Sequence, residues 1–228
     1  MKSIEHLTFA RMITVQSLTF NPFEENTYIV FDETREAAII DPGCYEAHEK
    51  RMLDQFIADH HLQVKYLLNT HCHIDHVLGN HHVKTKYQVP FLIHKTEENV
   101  LRAVKAYASN YGFYQYEEVL PDDYLTEGHF IEIGKSRWQI LFLPGHAPGH
   151  VGFYHASEKK LICGDVLFER SIGRTDLPGG NFETLIRSIH SQLFTLPEDV
   201  VVYPGHGGTT TIGEEKVENP FCALNLRS

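Results

Sequence analysis

Residues 70–80 read THCHIDHVLGN and overlap the end of the apolar run VKYLLNT at 64–70. His71, Cys72, His73, Asp75 and His76 crowd into six positions. A surface loop would favour Ser, Gly and Lys, and a core segment cannot bury that much polar surface without partners. In an extended segment residues i and i+2 point the same way. His71 and His73 can therefore face one ion while Cys72 points away. Asp75 and His76 fall where the chain should bend into a helix, offset from the first pair and able to serve a second ion.

Three further segments end an apolar run in a metal-ligating side chain at a Gly-marked turn. LFLPGHAPGH (141–150) delivers His146, KLICGD (160–165) delivers Asp165 and VVVYPGH (200–206) delivers His206. Sites in layered α/β folds collect at the carboxyl ends of strands. His146 can complete the first site, His206 the second, and Asp165 can bridge both through its two oxygens. Singly these pieces are weak: His-x-His has many chance matches, and P-G-H or G-D is a turn by default. The ordered set points to metal. Nitrogen and oxygen donors with room for water suit zinc, iron or manganese in a catalytic rather than a structural site.

The rest of the chain supplies a scaffold for such strand ends. ITVQSLTFNPFEENTYIVF (13–31) alternates and predicts two strands around NPFEEN, and AAIIDPG (37–43) a third. EAHEKRMLDQFIADHH (46–61) has helical spacing at Met52, Leu53, Phe56 and Ile57. HVLGNHHVKTKYQ (76–88) predicts a helix, VPFLIH (89–94) a strand, and a helix follows around Glu97–Tyr107. HFIEI, RWQILFLPG, VGFYH and KLICGD make the second half strand-rich. NFETLIRSIHSQLF (181–194) predicts a helix with Asn181 as N-cap, and DVVVYPG (199–205) a last strand. With no linker, repeat or charge block, and with strands and helices alternating in both halves, an α/β layered domain is expected.

Composition narrows the function. The chain has 228 residues, 42% of them hydrophobic, which suffices for a substantial core. Twenty basic against 30 acidic residues give a net charge of −10, which argues against a nucleic-acid surface. A bound dication can still invert the local field for an anionic substrate. Cys44, Cys72, Cys163 and Cys222 form no C-x-x-C pair, as expected of free thiols in a reducing compartment. No apolar stretch approaches the roughly 18 residues that span a membrane. The opening MKSIEHLTFARM lacks a signal-peptide pattern, so residues 1–11 are expected to be an extension and the protein cytoplasmic. Of 16 histidines, five belong to the set above. The other eleven, His60, His61, His81 and His82 among them, show no interpretable spacing and are expected at the surface or behind the ligands.

T-H-x-H-x-D-H, G-H-x-P-G-H, G-D and P-G-H, in this order, resemble the metallo-β-lactamase superfamily. The resemblance covers the chain from Met12, so residues 12–228 are expected to form one domain. It implies a four-layer αββα sandwich with the active site along one edge of the paired sheets. It also implies one metal at His71, His73 and His146, a second at Asp75, His76 and His206, and Asp165 as the bridge. CGDVLFERSIGRTDLPGGNFETLIRSI (163–189) and YPGHGGTTTIGEEKVENPF (203–221) resemble the short glyoxalase II-like hydrolases. Glyoxalase II carries a C-terminal helical extension that helps bind glutathione. Only 22 residues (228 − 206) follow His206, so that extension is not expected here, and glutathione is in doubt as the natural thiol.

The implied reaction is hydrolysis of a thioester such as S-lactoylglutathione, with two divalent ions, zinc foremost, lowering the pKa of a shared water. Asp75 could orient that water or pass on its proton. The expected partner is a small thioester, with no nucleic acid and no membrane. T-H-C-H and G-R-T-D also resemble persulfide dioxygenases, which use a single iron, and a non-catalytic metal-binding protein is a third reading. Asp41 in IIDPG either hydrogen-bonds a ligand imidazole from behind or only closes a turn. Arg174 and Asp176 in SIGRTDLPGG are expected to brace the loop after Asp165, with Arg174 also a candidate contact for a substrate anion. Phe168 on that loop is a candidate pocket residue.

Overall fold

A computed structural model describes residues 13–224. The expected extension at 1–11, Met12 and residues 225–228 lie outside it. Strands β1 (Thr14–Phe20), β2 (Glu25–Phe31), β3 (Glu36–Ile40), β4 (Gln63–Leu68), β5 (Phe91–His94) and β6 (Asp123–Leu125) form one sheet in sequential order. β1 to β3 pair antiparallel, and β3 to β6 pair parallel. The second sheet contains β7 (Phe130–Ile133), β8 (Ser136–Phe142), β9 (Val151–His155), β10 (Lys160–Gly164), β13 (Val201–Pro204) and β14 (Thr210–Thr211), ordered β14-β13-β10-β9-β8-β7. A small hairpin, β11 (Leu167–Phe168) and β12 (Ser171–Ile172), follows β10.

The period-2 pattern of the strands divides their side chains between separate cores. Tyr28, Val30, Ala38, Ile40 and Leu68 of the first sheet meet Ile131, Trp138, Ile140, Phe153 and Ile162 of the second. The alternate residues Ile29, Ile39, Leu67, Phe91 and Ile93 turn outward. They pack under α1 (Ala47–Asp59), α3 (Asn80–Tyr87) and α4 (Glu98–Tyr107) through Leu53, Ile57, Val83, Leu101 and Val104. On the far side Leu141, Leu161, Cys163 and Val202 meet Leu185 and Ile212 of α5 (Phe182–Ser188) and α6 (Ile212–Glu218). The layers are helix, sheet, sheet, helix. Buried on both faces, β3 and β10 read as near-continuous apolar runs.

Asn181 caps α5 as expected, its side chain accepting from the Thr184 N–H at 2.8 Å. Two expectations fail locally. Helices and strands do not alternate throughout the second half, where seven strands run in succession from β6 to β12 before α5. The helix expected over 76–88 is two pieces, α2 (Ile74–Val77) and α3, broken at Leu78–Gly79. The Gly79 N–H turns to donate to the Pro42 carbonyl at 2.7 Å. A Cβ at Gly79 would stand 2.6 Å from Cys44 Sγ and 2.8 Å from the Pro42 oxygen, so the ligand turn lies directly on the loop after β3.

Gly79→Ala should therefore lower the unfolding free energy by about 1–3 kcal/mol through overpacking. Denaturant titration measures this, and an unchanged midpoint would show that the Cys44 loop yields freely.

Candidate metal centre

β4 ends at Leu68, and its extension carries Thr70, His71 and His73 past the sheet edge before α2 brings in Asp75 and His76. The loop after β8 supplies His146, the end of β10 Asp165 and the turn after β13 His206. All seven expected ligands converge. One donor atom from each of His71, His73 and His146 lies within 4.8 Å of the others, and the same holds for Asp75, His76 and His206. Asp165 stands between the groups. Its Oδ1 is 3.5 Å from His76 Nε2, and its Oδ2 is 3.5 Å from Nε2 of both His146 and His206. Cys72 turns the other way, buried in the core beneath the helices.

Hydrogen bonds behind the rings set their tautomers. The single Thr70 hydroxyl proton goes to Asp41 Oδ2 at 2.6 Å, so the His71 Nδ1–H donates to Thr70 Oγ1 at 3.1 Å. His146 Nδ1–H donates to the Arg174 carbonyl (2.7 Å) and His206 Nδ1–H to the Phe23 carbonyl (3.0 Å). His76 Nδ1 faces Asp41 Oδ2 at 3.3 Å. These four rings turn Nε2 inward, whereas His73 turns Nδ1, 2.8 Å from His146 Nε2. Asp41 thus combines both of its expected roles. It closes the turn, with φ +51, and its Oδ1 accepts from the Thr70 N–H, while Oδ2 faces an imidazole.

The donor set fits divalent cations. His71 Nε2, His76 Nε2 and Asp165 Oδ1 are buried without a hydrogen-bond partner, a costly state unless an ion takes their lone pairs. Burial pushes His71 well below the usual imidazole range and His73 down to about 3, aided by neighbouring histidines. Burial opposes charge at His76 too, but Asp75 and Asp165 outweigh it and hold that ring well up. His206 is raised to about 10 against its own burial by the same two carboxylates. The acidic groups demand positive charge. Two divalent ions would meet that demand and leave the rings neutral, the form that ligates.

Several supporting residues carried no spacing signal. Glu97, fully buried, accepts the Cys72 N–H at 2.9 Å and the Gly149 N–H at 2.6 Å, tying together the loops that hold His71, His73 and His146. Burial raises its carboxyl to about 7 against the two backbone donors. His150, the second His of G-H-x-P-G-H, is fully buried, stacks on His71, and accepts the Asp165 N–H on Nε2 at 3.1 Å. The Asn26 side chain donates to the carbonyls of Pro204 (3.1 Å) and Gly207 (2.9 Å), holding the His206 turn against β2.

A cleft of about 920 Å³ opens over the centre, lined in part by His73, Asp75, His146, Asp165 and His206. Phe168 and Arg174 both line it. The Arg174 guanidinium is forked onto Asp176, Nε at 2.8 Å and Nη2 at 2.6 Å, so its charge is already compensated.

Residues 20–206 match the family model described as the metallo-beta-lactamase superfamily. The chain is 38% identical to hydroxyacylglutathione hydrolase GloC of Haemophilus influenzae, over 95% of this chain and all of that protein. It is 33% identical to mouse mitochondrial persulfide dioxygenase ETHE1, over 87% of this chain and 72% of that one. Among solved structures it resembles the BLEG-1 B3 metallo-beta-lactamase, with a TM-score of 0.83, 34% identity and coverage of 92% and 99% of the two chains. It also resembles TTHA1623 in a di-iron-bound form, at 0.81 and 35%, with coverage of 91% and 100%.

Two outcomes are expected of the metal-free protein and its variants. With its pKa raised from 6.5 to about 10, folded His206 holds its proton more tightly than in the unfolded chain. That contribution to stability is full below about pH 6.5 and is lost as pH rises through about 10. Metal uptake at pH 7 should release protons, read by calorimetry in buffers of different ionisation enthalpy; uptake without proton release would exclude His206 as a ligand. Glu97→Gln keeps one acceptor and turns an NH₂ against a backbone N–H. It should weaken metal binding by about 10–100-fold in chelator competition, and unchanged affinity would show that the two loops hold themselves.

Proposed function

Because the chain belongs to the metallo-β-lactamase superfamily, a superfamily of metallo-hydrolases, we propose that this enzyme cleaves a thioester, as the likeness to GloC suggests. The observation that carries the reading is the pair of three-donor groups joined by Asp165 at the floor of a cleft. His71, His73 and His146 would hold one divalent ion, Asp75, His76 and His206 the other, and Asp165 would bridge them. Such ions supply Lewis acidity toward a carbonyl oxygen and lower the pKa of water. Zinc, iron and manganese all suit these donors, and the di-iron form of TTHA1623 supports iron as a candidate beside zinc.

The chain's own residues complete the chemistry. Burial resists ionisation of Asp75, but His76 and His206 outweigh it and keep the carboxyl charged. Asp75 lines the cleft, where a carboxylate accepts the proton of an attacking water and orients its lone pair at the thioester carbon. A C–O bond forms, the C–S bond breaks, and acid and thiol leave. A thiol of pKa near 8.5 departs as thiolate without a proton donor. Neutral His71 and His146 stay fixed through Thr70 and the Arg174 carbonyl during turnover.

The likeness to persulfide dioxygenase favours a second reading, in which one iron is bound and O₂ is consumed. Metal-loaded protein should cleave S-lactoylglutathione, followed by loss of thioester absorbance. Chelation should abolish the activity, metal should restore it, and glutathione persulfide should cause no oxygen uptake. Rapid oxygen consumption with persulfide and an intact thioester would replace the hydrolase reading with the second one.

A further inference from the structure

The walls of the cleft differ in kind from its floor. Val100, Ala103 and Tyr107 of α4 line it at i, i+3 and i+7, and Val100 and Tyr107 also pack against the core in which Leu101 and Val104 are buried. Phe23, Tyr111 and Phe168 continue this wall. Phe23 and Tyr111 stand with ring centroids 6.0 Å apart, and they are 40% and 55% exposed. Large aromatic surface left open beside a reactive centre is free energy available to an apolar ligand. The polar wall residues Asn99 and Asn110 are neutral amides.

The charge pattern points the same way. Among the described residues lining the cleft, Arg174 is the one Lys or Arg, and both arms of its fork bond Asp176. The floor carboxylates Asp75 and Asp165 belong to the candidate metal ligands, so bound cations would offset their charge. A glutathione carrier brings two carboxylates of its own, and recognition of a carboxylate normally uses an unpaired guanidinium or ammonium. The one such group on these walls, Arg174, is exposed and shares its guanidinium with Asp176.

From this geometry we infer that the cleft selects thioesters bearing an uncharged aromatic or bulky apolar group, and that it has no built recognition for the carboxylates of a peptide thiol. The inference rests on the thioesterase reading and narrows its substrate class. Specificity then lies in Tyr107, Tyr111, Phe23 and Phe168, because burying a ring among them is worth more than a solvated ion pair at the rim.

Two non-hydrolysable thioethers separate the alternatives: S-methylglutathione, and the uncharged N-acetyl-S-benzylcysteamine. In calorimetric titrations of metal-free and metal-loaded protein, the benzyl compound should bind at least about tenfold more tightly. Added salt should not weaken it. Tyr107→Ser and Phe168→Ser should each reduce that preference at least about threefold, and the wild-type comparison decides alone if a variant fails to fold. Equal or tighter binding of S-methylglutathione would overturn the inference. In parallel, kcat/KM for the S-mandeloyl thioester of N-acetylcysteamine should exceed that for S-lactoylglutathione; the reverse order would also overturn it. Retained selectivity in binding with no thioester cleaved would support the apolar cleft and remove the thioesterase reading.

Discussion

Four carboxylates surround the buried imidazole of His76. Glu25, Asp41, Asp75 and Asp165 approach its ring nitrogens at 3.8, 3.3, 3.6 and 3.5 Å. Burial pushes the Glu25 carboxyl well above the usual carboxylate range, and like charges among the others repel strongly this close and this far from water, where an unbalanced buried carboxylate costs several kcal/mol. The arrangement persists only where cations balance it. The rest of the structure follows from that constraint, because the groups supplying the charge come from the start of β2, the ends of β3 and β10, and α2, and neither sheet contains all of them.

Loops that carry such a cluster must be held against their own repulsion. Asp41 takes hydrogen bonds from Asn69 and Thr70, and Asn69 in turn donates to the His76 carbonyl at 2.7 Å. The Tyr28 hydroxyl and the Asn26 side chain reach from the first sheet to the Pro204 carbonyl, and Glu97 joins the loop after β4 to the loop after β8. The donors are mostly backbone N–H groups and neutral amides, which fix position without adding charge. Ligand geometry is thus set by uncharged bonds behind the rings, and the ligands remain free for an ion.

Floor and walls divide the work of the cleft. The floor is the dense polar set of candidate metal ligands. The walls are apolar side chains on α4 and on the loops around Phe23 and Phe168. This division explains how relatives named for different reactions can share one architecture.

The sequence by itself determined which residues meet at the candidate centre and how they group, because that information is local. An extended His-x-His pair has one geometry, and an apolar run ending in Gly-Asp or Pro-Gly-His places its polar residue at a strand end whatever surrounds it. The opposite facing of Cys72 and the Asn181 cap were legible for the same reason, whereas the element pattern predicted only an α/β layered domain and the αββα layering was an implication of the family resemblance. Tertiary structure alone decided the rest. Glu97 meets Cys72 across 25 residues and Gly149 across 52, and Asn26 meets Pro204 across 178. The break at Gly79 is imposed by Pro42 and Cys44. A buried Glu or a helix-breaking contact has no period to read: each is defined by which distant backbone its side chain meets, and only packing of the two sheets brings those partners together.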